Sequence, residues 1–131
     1  MKLVFVPPEN VQTLAGHWID WAHQCAARDR LPAYVYVNPV LDGYAHLFVV
    51  WDETKKTTAA AFAVEVTEDI AGIQWFGGIG PDDWLHLLDE LHDYMRQMGC
   101  TKARIMMRPG FAKKLKAEGY RTRSIVLERT L

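Results

Sequence analysis

The stretch from Ile73 to Tyr120 constrains the fold most. It reads as a strand, a glycine turn, an amphipathic helix, a second strand, a short helix and a Gly-Tyr pair. The turn is Gly77-Gly78-Ile79-Gly80-Pro81. Pro81 suits the first position of a helix, where its missing N–H costs nothing. Trp84, Leu88, Leu91, Met95 and Met98 then form one apolar stripe, and Gly99 stops the helix. A glycine turn feeding a helix favours phosphate, because unpaired amides and the helix dipole point the same way. Asp82 and Asp83 stand in the first helical turn and are suited to capping those same amides. Both readings of the turn, phosphate site and self-capped helix, are open from the sequence.

The rest of the chain supplies further elements. Lys2–Val6 is a short strand ended by Pro7-Pro8. Val11, Leu14, Ala15, Trp18, Ala22 and Cys25 recur at helical spacing, with Asn10 as the N-cap, so a helix is expected to about Arg28. Tyr34–Asp42 is ambiguous, since its β-branched residues favour a strand and Asn38-Pro39 a break. Tyr44–Trp51 is apolar on both faces, as in a central strand. Thr57–Val66 and Gly72–Phe76 follow across short polar turns, which gives an antiparallel meander. Thr101–Met107 is a strand, Phe111–Glu118 a helix and Tyr120–Arg129 a closing strand. The fold class is α/β: an antiparallel meander followed by β-α-β-α-β, in a mixed central sheet flanked by helices.

A chain of 131 residues suits one domain, residues 1–131, with a substantial core. A net charge of −1 gives no whole-molecule field toward nucleic acid or membrane. No apolar run approaches the roughly 20 residues of a membrane helix, and the opening Met1–Pro8 has too short an apolar run for a signal peptide. Cys25 and Cys100 form no metal or redox motif, so we expect two reduced, buried thiols in a cytoplasmic setting. His86 and Glu90 lie four apart with Asp93 adjacent, yet the HExxH pattern is absent and no metal is expected. His17 and His23 read as a solvent-facing edge, and His46 as a hydrogen-bonded core histidine.

The element order resembles the GCN5-related N-acetyltransferase (GNAT) superfamily, over the last two-thirds of the chain. Gly119-Tyr120 resembles the Gly-Phe/Tyr pair that ends the family's fourth helix. Gly77-Gly78…Pro81-x-x-Trp84, Gly99-Cys100 and Arg108-Pro109-Gly110-Phe111 resemble small GNAT-like proteins of bacteriophages and prophages. The resemblance implies an acyl-CoA cofactor, acetyl-CoA, whose pyrophosphate is wrapped by a Q/R-x-x-G-x-G/A loop. Gln74-Trp75-Phe76-Gly77-Gly78-Ile79 is the match here, with Ile79 where a small residue belongs and Gly80 one step beyond. It implies Gly77, Gly78 and Gly80 at the pyrophosphate, and Ile73 and Trp75 holding the pantetheine arm by backbone hydrogen bonds. The tyrosine that serves many family members as general acid matches Leu115, and the asparagine opening that helix matches Arg108. Glu65 and Glu68 are the candidate bases, and Tyr94 and Tyr120 the candidate proton donors.

Nine cationic residues (Lys102, Arg104, Arg108, Lys113, Lys114, Lys116, Arg121, Arg123 and Arg129) of the fifteen in the chain fall in its last thirty positions. They are set against an acidic helix carrying Asp82, Asp83, Asp89, Glu90 and Asp93, and the two faces are complementary between subunits of a homo-oligomer. Two functions follow from the resemblance. One is a phage-type protein with a degenerate acyl-CoA loop, non-catalytic and acting through contacts with itself, a virion or a host protein, in the host cytoplasm or on the virion. The other is an active acetyl-CoA-dependent N-acyltransferase on a small-molecule or protein amine.

Overall fold

The computed structural model describes residues 1–107 and 109–131. Arg108, matched above to the family's asparagine and counted in the basic segment, lies outside the described residues. Among the described residues, five strands form one sheet in the order β1-β2-β3-β4-β5. They are β1 (Lys2–Val6), β2 (His46–Asp52), β3 (Thr57–Thr67), β4 (Ile70–Gly78) and β5 (Lys102–Ile105). The first four are antiparallel neighbours, and β5 joins β4 in parallel. The helices are α1 (Ile19–Arg28), α2 (Tyr34–Leu41), α3 (Pro81–Trp84), α4 (Leu88–Gln97) and α5 (Pro109–Lys116).

Two apolar layers cover the sheet. On one face Trp18, Ala22 and Cys25 of the α1 region and Val37 and Val40 of α2 pack on Leu47, Val49, Ala61, Ala63 and Trp75. On the other, Trp84, Leu88, Leu91, Met95 and Leu115 pack on Phe48, Val50, Phe62, Val64, Ala71 and Ile73. β3 lies at the centre and is buried on both faces through Ala59–Val64. Its four alanines leave room for the aromatic rings above and below, so Trp18 stacks on Trp75 at 6.4 Å and Trp84 meets Phe62 edge-on at 5.3 Å. At the β2–β3 turn, buried Asp52 accepts the amides of Thr54 and Lys55 at 3.0 and 3.1 Å.

Several boundaries differ from the sequence reading. The first helix does not run from Asn10, which caps nothing with its side chain. Residues 8–18 form turns and two short 3₁₀ segments instead, and the α-helix starts at Ile19. Trp18 explains the break. Its backbone adopts φ −142°, which is not helical, while its buried indole donates to the Val11 carbonyl at 3.0 Å. The ambiguous Tyr34–Asp42 segment is helical over Tyr34–Leu41 despite Pro39. Burial of Val37 and Val40 outweighs the lost backbone bond, and the Pro39 carbonyl accepts the amides of Tyr44 and Ala45. The helix after Pro81 is broken by a 3₁₀ turn at Leu85–Leu87. Tyr120–Arg129 forms no strand, and residues 121–131 are exposed throughout.

Replacing Trp18 by Phe keeps most of the apolar contact but leaves the buried Val11 carbonyl without its donor. The expected loss of stability is about 1–3 kcal/mol in urea unfolding. An unchanged midpoint would mean that this bond does not pin the loop preceding α1.

Candidate functional site

The site is built around an irregularity in β4. Ala63 pairs with Trp75 and Val64 with Ile73, so Gln74 is an extra residue that bulges from the β3 ladder. At the same point β4 loses its other neighbour. The parallel pairing runs from Ile70↔Lys102 to Ile73↔Ile105 and stops. A bulge bends its strand and steepens the twist, which swings the C-terminal half of β4 away from β5. Among the described residues, Trp75–Gly78 keeps its β3 partner while the outer edge of β4 from Gln74 onward is open, which leaves a notch beside β4 past the last β4–β5 pair.

The notch leads to the glycine turn, and the three glycines have different reasons to be there. A Cβ on Gly77 would sit 3.2 Å from Cys25 Sγ and from Trp21, so Gly77 lets α1 approach the strand. A Cβ on Gly78 would lie 2.6 Å from Ala60 Cβ and 2.9 Å from the Ala59 carbonyl, so Gly78 lets β3 approach. Gly80 alone has a left-handed backbone, with φ +62°, and it turns the chain into α3. Ile79 is solvent-exposed, yet its backbone is committed. Its amide donates to Ala59 at 3.0 Å and its carbonyl accepts the Trp84 indole at 2.9 Å. The amides of Gly80 and Asp82 donate to no protein group among the described residues, whereas that of Asp83 donates to Gly80 at 2.9 Å.

The two aspartates do not cap the helix with their side chains, contrary to one of the readings above. The Asp82 carboxylate pairs with Lys114 Nζ of α5 at 2.7 Å, so a cation does stand at this mouth, brought from 32 residues away. The Asp83 carboxylate lies beside Gly80, 3.1 Å from where a Cβ would be.

Inside the notch the walls are apolar. Phe76 of β4 meets Phe111 of α5 at 4.8 Å between ring centroids. With Ile73, Trp84, Leu88, Ile105, Leu115 and Tyr120 they enclose a residual cavity of only ≈ 10 Å³. Leu115, at the position of the family's tyrosine, is buried in that wall and carries no proton. Tyr120 is the titratable group there, and its hydroxyl is 2.7 Å from His92 Nε2. Burial, with the Glu118 carboxylate nearby, pushes the Tyr120 phenol up to about 12. Burial also holds His92 below its usual range, and Arg96 adds to that. Sequence reasoning missed His92. Its spacing of four from Leu88 was the available signal, since that places it along the inner side of α4. Tyr94 packs against Phe48 and Phe5 and is not at the notch.

Glu65 and Glu68 lie toward the far end of the hairpin. Glu65 is half-buried and pairs with Gly72, two residues from the bulge, on the α1–α2 face with Ala61 and Ala63. Glu68 is exposed at the β3–β4 turn with φ +56°. Glu65 is thus near the bulge, roughly 20 Å along the strand from Gly78 at about 3.3 Å per residue. Both cysteines are free and buried. Burial raises the Cys25 pKa, and its thiol donates to the Phe76 carbonyl at 3.1 Å. His86 falls in the 3₁₀ turn and Glu90 in α4, and no group of three His, Cys, Asp or Glu side chains converges on a cation position among the described residues. A larger apolar cavity of ≈ 300 Å³, between Phe5, Leu14, His17, Trp18 and Trp51, lies at the β1–β2 side of the sheet, away from the notch. No helix among the described residues is long and apolar enough to cross a membrane.

No protein-family model matches the sequence, and no curated protein matches it. Solved structures do. Glucosamine-6-phosphate N-acetyltransferase from Arabidopsis thaliana superposes with a TM-score of 0.67 at 14% identity, covering 98% of this chain and 97% of that one. Ribosomal-protein-alanine N-acetyltransferase from Brucella melitensis biovar Abortus 2308 gives 0.65 at 12%, covering 99% and 100%. Tetrahymena GCN5 gives 0.69 at 11%, covering 90% and 78%. The chain has the GNAT fold, with the mixed sheet flanked by helices that the sequence pattern implies, five-stranded among the described residues.

Two outcomes follow from this geometry. Gly78→Ala places a methyl against β3 backbone and should cost about 1–3 kcal/mol in denaturant unfolding. Secondly, His92 has a depressed folded pKa, so between that value and 6.5 the unfolded chain binds the extra proton. Stability should therefore fall as pH drops below about 6.5 and be full above it. Thermal melts across that window should show the decline, and His92→Gln should flatten it.

Proposed function

We propose that the chain is an acyl-CoA-dependent N-acyltransferase, with acetyl-CoA as the coenzyme and an amine as acceptor. The observation that carries this is the Gln74 bulge coinciding with the end of β4–β5 pairing. It leaves an open strand edge leading to a glycine turn with two free amides. A coenzyme with amide groups along an extended arm and a pyrophosphate at one end matches that layout. The unpaired edge of β4 from Gln74 onward would bind the arm, with Ile73 and Trp75 flanking the bulge. The amides of Gly80 and Asp82 would face the pyrophosphate, and Lys114 offsets one of the two carboxylates there. Gly77 and Gly78 serve by letting α1 and β3 close behind the strand. The coenzyme supplies an activated thioester to the amine. On the α1–α2 face, Glu65 is the residue placed to take the amine's proton, with Glu68 farther out on the turn. Tyr120, tethered to His92 in the notch wall, is the proton donor available where Leu115 has none.

A second reading rests on the apolar filling of the notch. The Phe76–Phe111 contact leaves almost no free volume, as in a protein that has given up its coenzyme and acts through protein contacts. The resemblance to small phage and prophage proteins belongs to this reading, with a virion or host protein as the partner.

Calorimetric titration with acetyl-CoA at low salt separates them. Under the enzyme reading, binding is micromolar, and Glu65→Gln lowers turnover of an amine while leaving coenzyme affinity intact. Asp83→Asn removes a carboxylate that has no ion-pair partner among the described residues, and should tighten binding about threefold to tenfold at low salt, less at high salt. Absence of heat from both proteins would favour the second reading.

A further inference from the structure

The ≈ 300 Å³ cavity on the β1–β2 side of the sheet has no part in the notch or in its chemistry. It exists because of the break before α1. Val4 of β1 pairs with Val49 of β2, and both belong to the apolar layer on the α1–α2 face, with Val6 beside them. The α-helix starts only at Ile19 and packs on β3 and β4. The β1 side of that face is left to residues 8–18, whose turns and 3₁₀ segments arch over the strands without filling the space beneath. Trp18 forms one wall. Its indole N–H is committed to the Val11 carbonyl, so what it offers the cavity is carbon. Leu14, 36% exposed, stands at the opening.

We propose that this cavity binds a small neutral molecule with one aromatic ring and one hydrogen-bonding substituent, a ligand of the phenol class. The volume sets the size, since ligand pockets begin at about 300 Å³ and an apolar cavity of about half that volume takes up benzene. The lining sets the charge. None of the described residues around the cavity is Asp, Glu, Lys or Arg, so a charged ligand would leave water with nothing to compensate it. Water is itself a poor occupant, because it needs roughly two to four polar partners and the floor of Val4, Val6 and Val49 is aliphatic. The walls favour a ring. Trp18, Trp51 and His17 bring aromatic surfaces to the space, and His17 meets Trp51 edge-on at 5.8 Å. The substituent has partners at the mouth, where Asn10 and His17 are exposed. His17 Nδ1 is 3.2 Å from Thr58 Oγ1. Neither His17 Nε2 nor the Asn10 side-chain amide has a protein partner among the described residues. The cavity is separate from the notch, so an empty cavity would leave the acyltransferase reading as it stands.

The test is titration of the full chain with p-cresol at about pH 8, above the ordinary histidine range, followed by NMR of the tryptophan indole N–H groups. The expected result is saturable movement of the Trp18 and Trp51 signals with a dissociation constant below about 1 mM, while Trp84 in the notch wall stays put. p-Toluate, the same ring carrying a carboxylate, should bind at least about tenfold more weakly. Val4→Phe puts a ring into the space from β1 and should weaken p-cresol binding at least about tenfold, with the thermal midpoint unchanged or raised. Leu14→Trp blocks the opening from an exposed loop position and should do the same, which keeps the test intact if the strand variant folds poorly. No movement at about 10 mM p-cresol, equal affinity for p-toluate, or folded blocking variants that bind as the wild type does would each overturn the proposal. Movement of Trp84 alone would put the ligand in the notch and overturn it as well.

Discussion

β4 is held along its length by β3 but by β5 only at its beginning, and the molecule's cleft exists because of that asymmetry. Two regular neighbours would have given a closed five-stranded sheet with no opening. One additional residue, Gln74, breaks the match between the ladders. The strand must bend to absorb it, and the parallel partner cannot follow. The bent half then reaches the glycine turn with its outer edge unpaired among the described residues. β3 makes the bend tolerable, because its small buried side chains allow aromatic groups to fill both faces around it.

The cleft is shaped by contacts that are remote in sequence. α5 brings Phe111 against Phe76 and Lys114 against Asp82, so one short helix both fills the notch and neutralises part of its mouth. The Asp82–Lys114 pair is exposed and contributes little to stability by itself. Its consequence is local: among the described residues, the turn presents one balanced and one unbalanced carboxylate to an incoming anion. The His92–Tyr120 pair ties α4 to the Gly-Tyr corner after α5 and places the only titratable hydroxyl among the residues lining the notch.

Much of this was legible in the sequence. The meander, the β-α-β that follows it and the role of Pro81 and Gly80 at a helix start all follow from periodicity and turn chemistry. The failures have identifiable causes. The helix expected from Asn10 fails because the Trp18 indole has a better use inside, bonded to Val11, than a helical backbone would give it. Tyr34–Leu41 is helical because the apolar layer over β2 and β3 needs Val37 and Val40 on one side. The closing strand is missing because strand composition supplies no partner. A strand exists only when another edge accepts its backbone bonds, and residues 121–131 have none among the described residues.

By itself the sequence determined the types of most elements, the glycine turn, the acidic first turn of α3 and the absence of a tyrosine at Leu115, since each depends on neighbouring residues or local backbone geometry. Only the tertiary structure decided which groups meet. The bulge at Gln74 depends on β3 and β4 being counted against each other. The cation beside Asp82 comes from α5, and the histidine beside Tyr120 from α4. These are long-range pairings, fixed when the two apolar layers close over the sheet, and no local pattern encodes them.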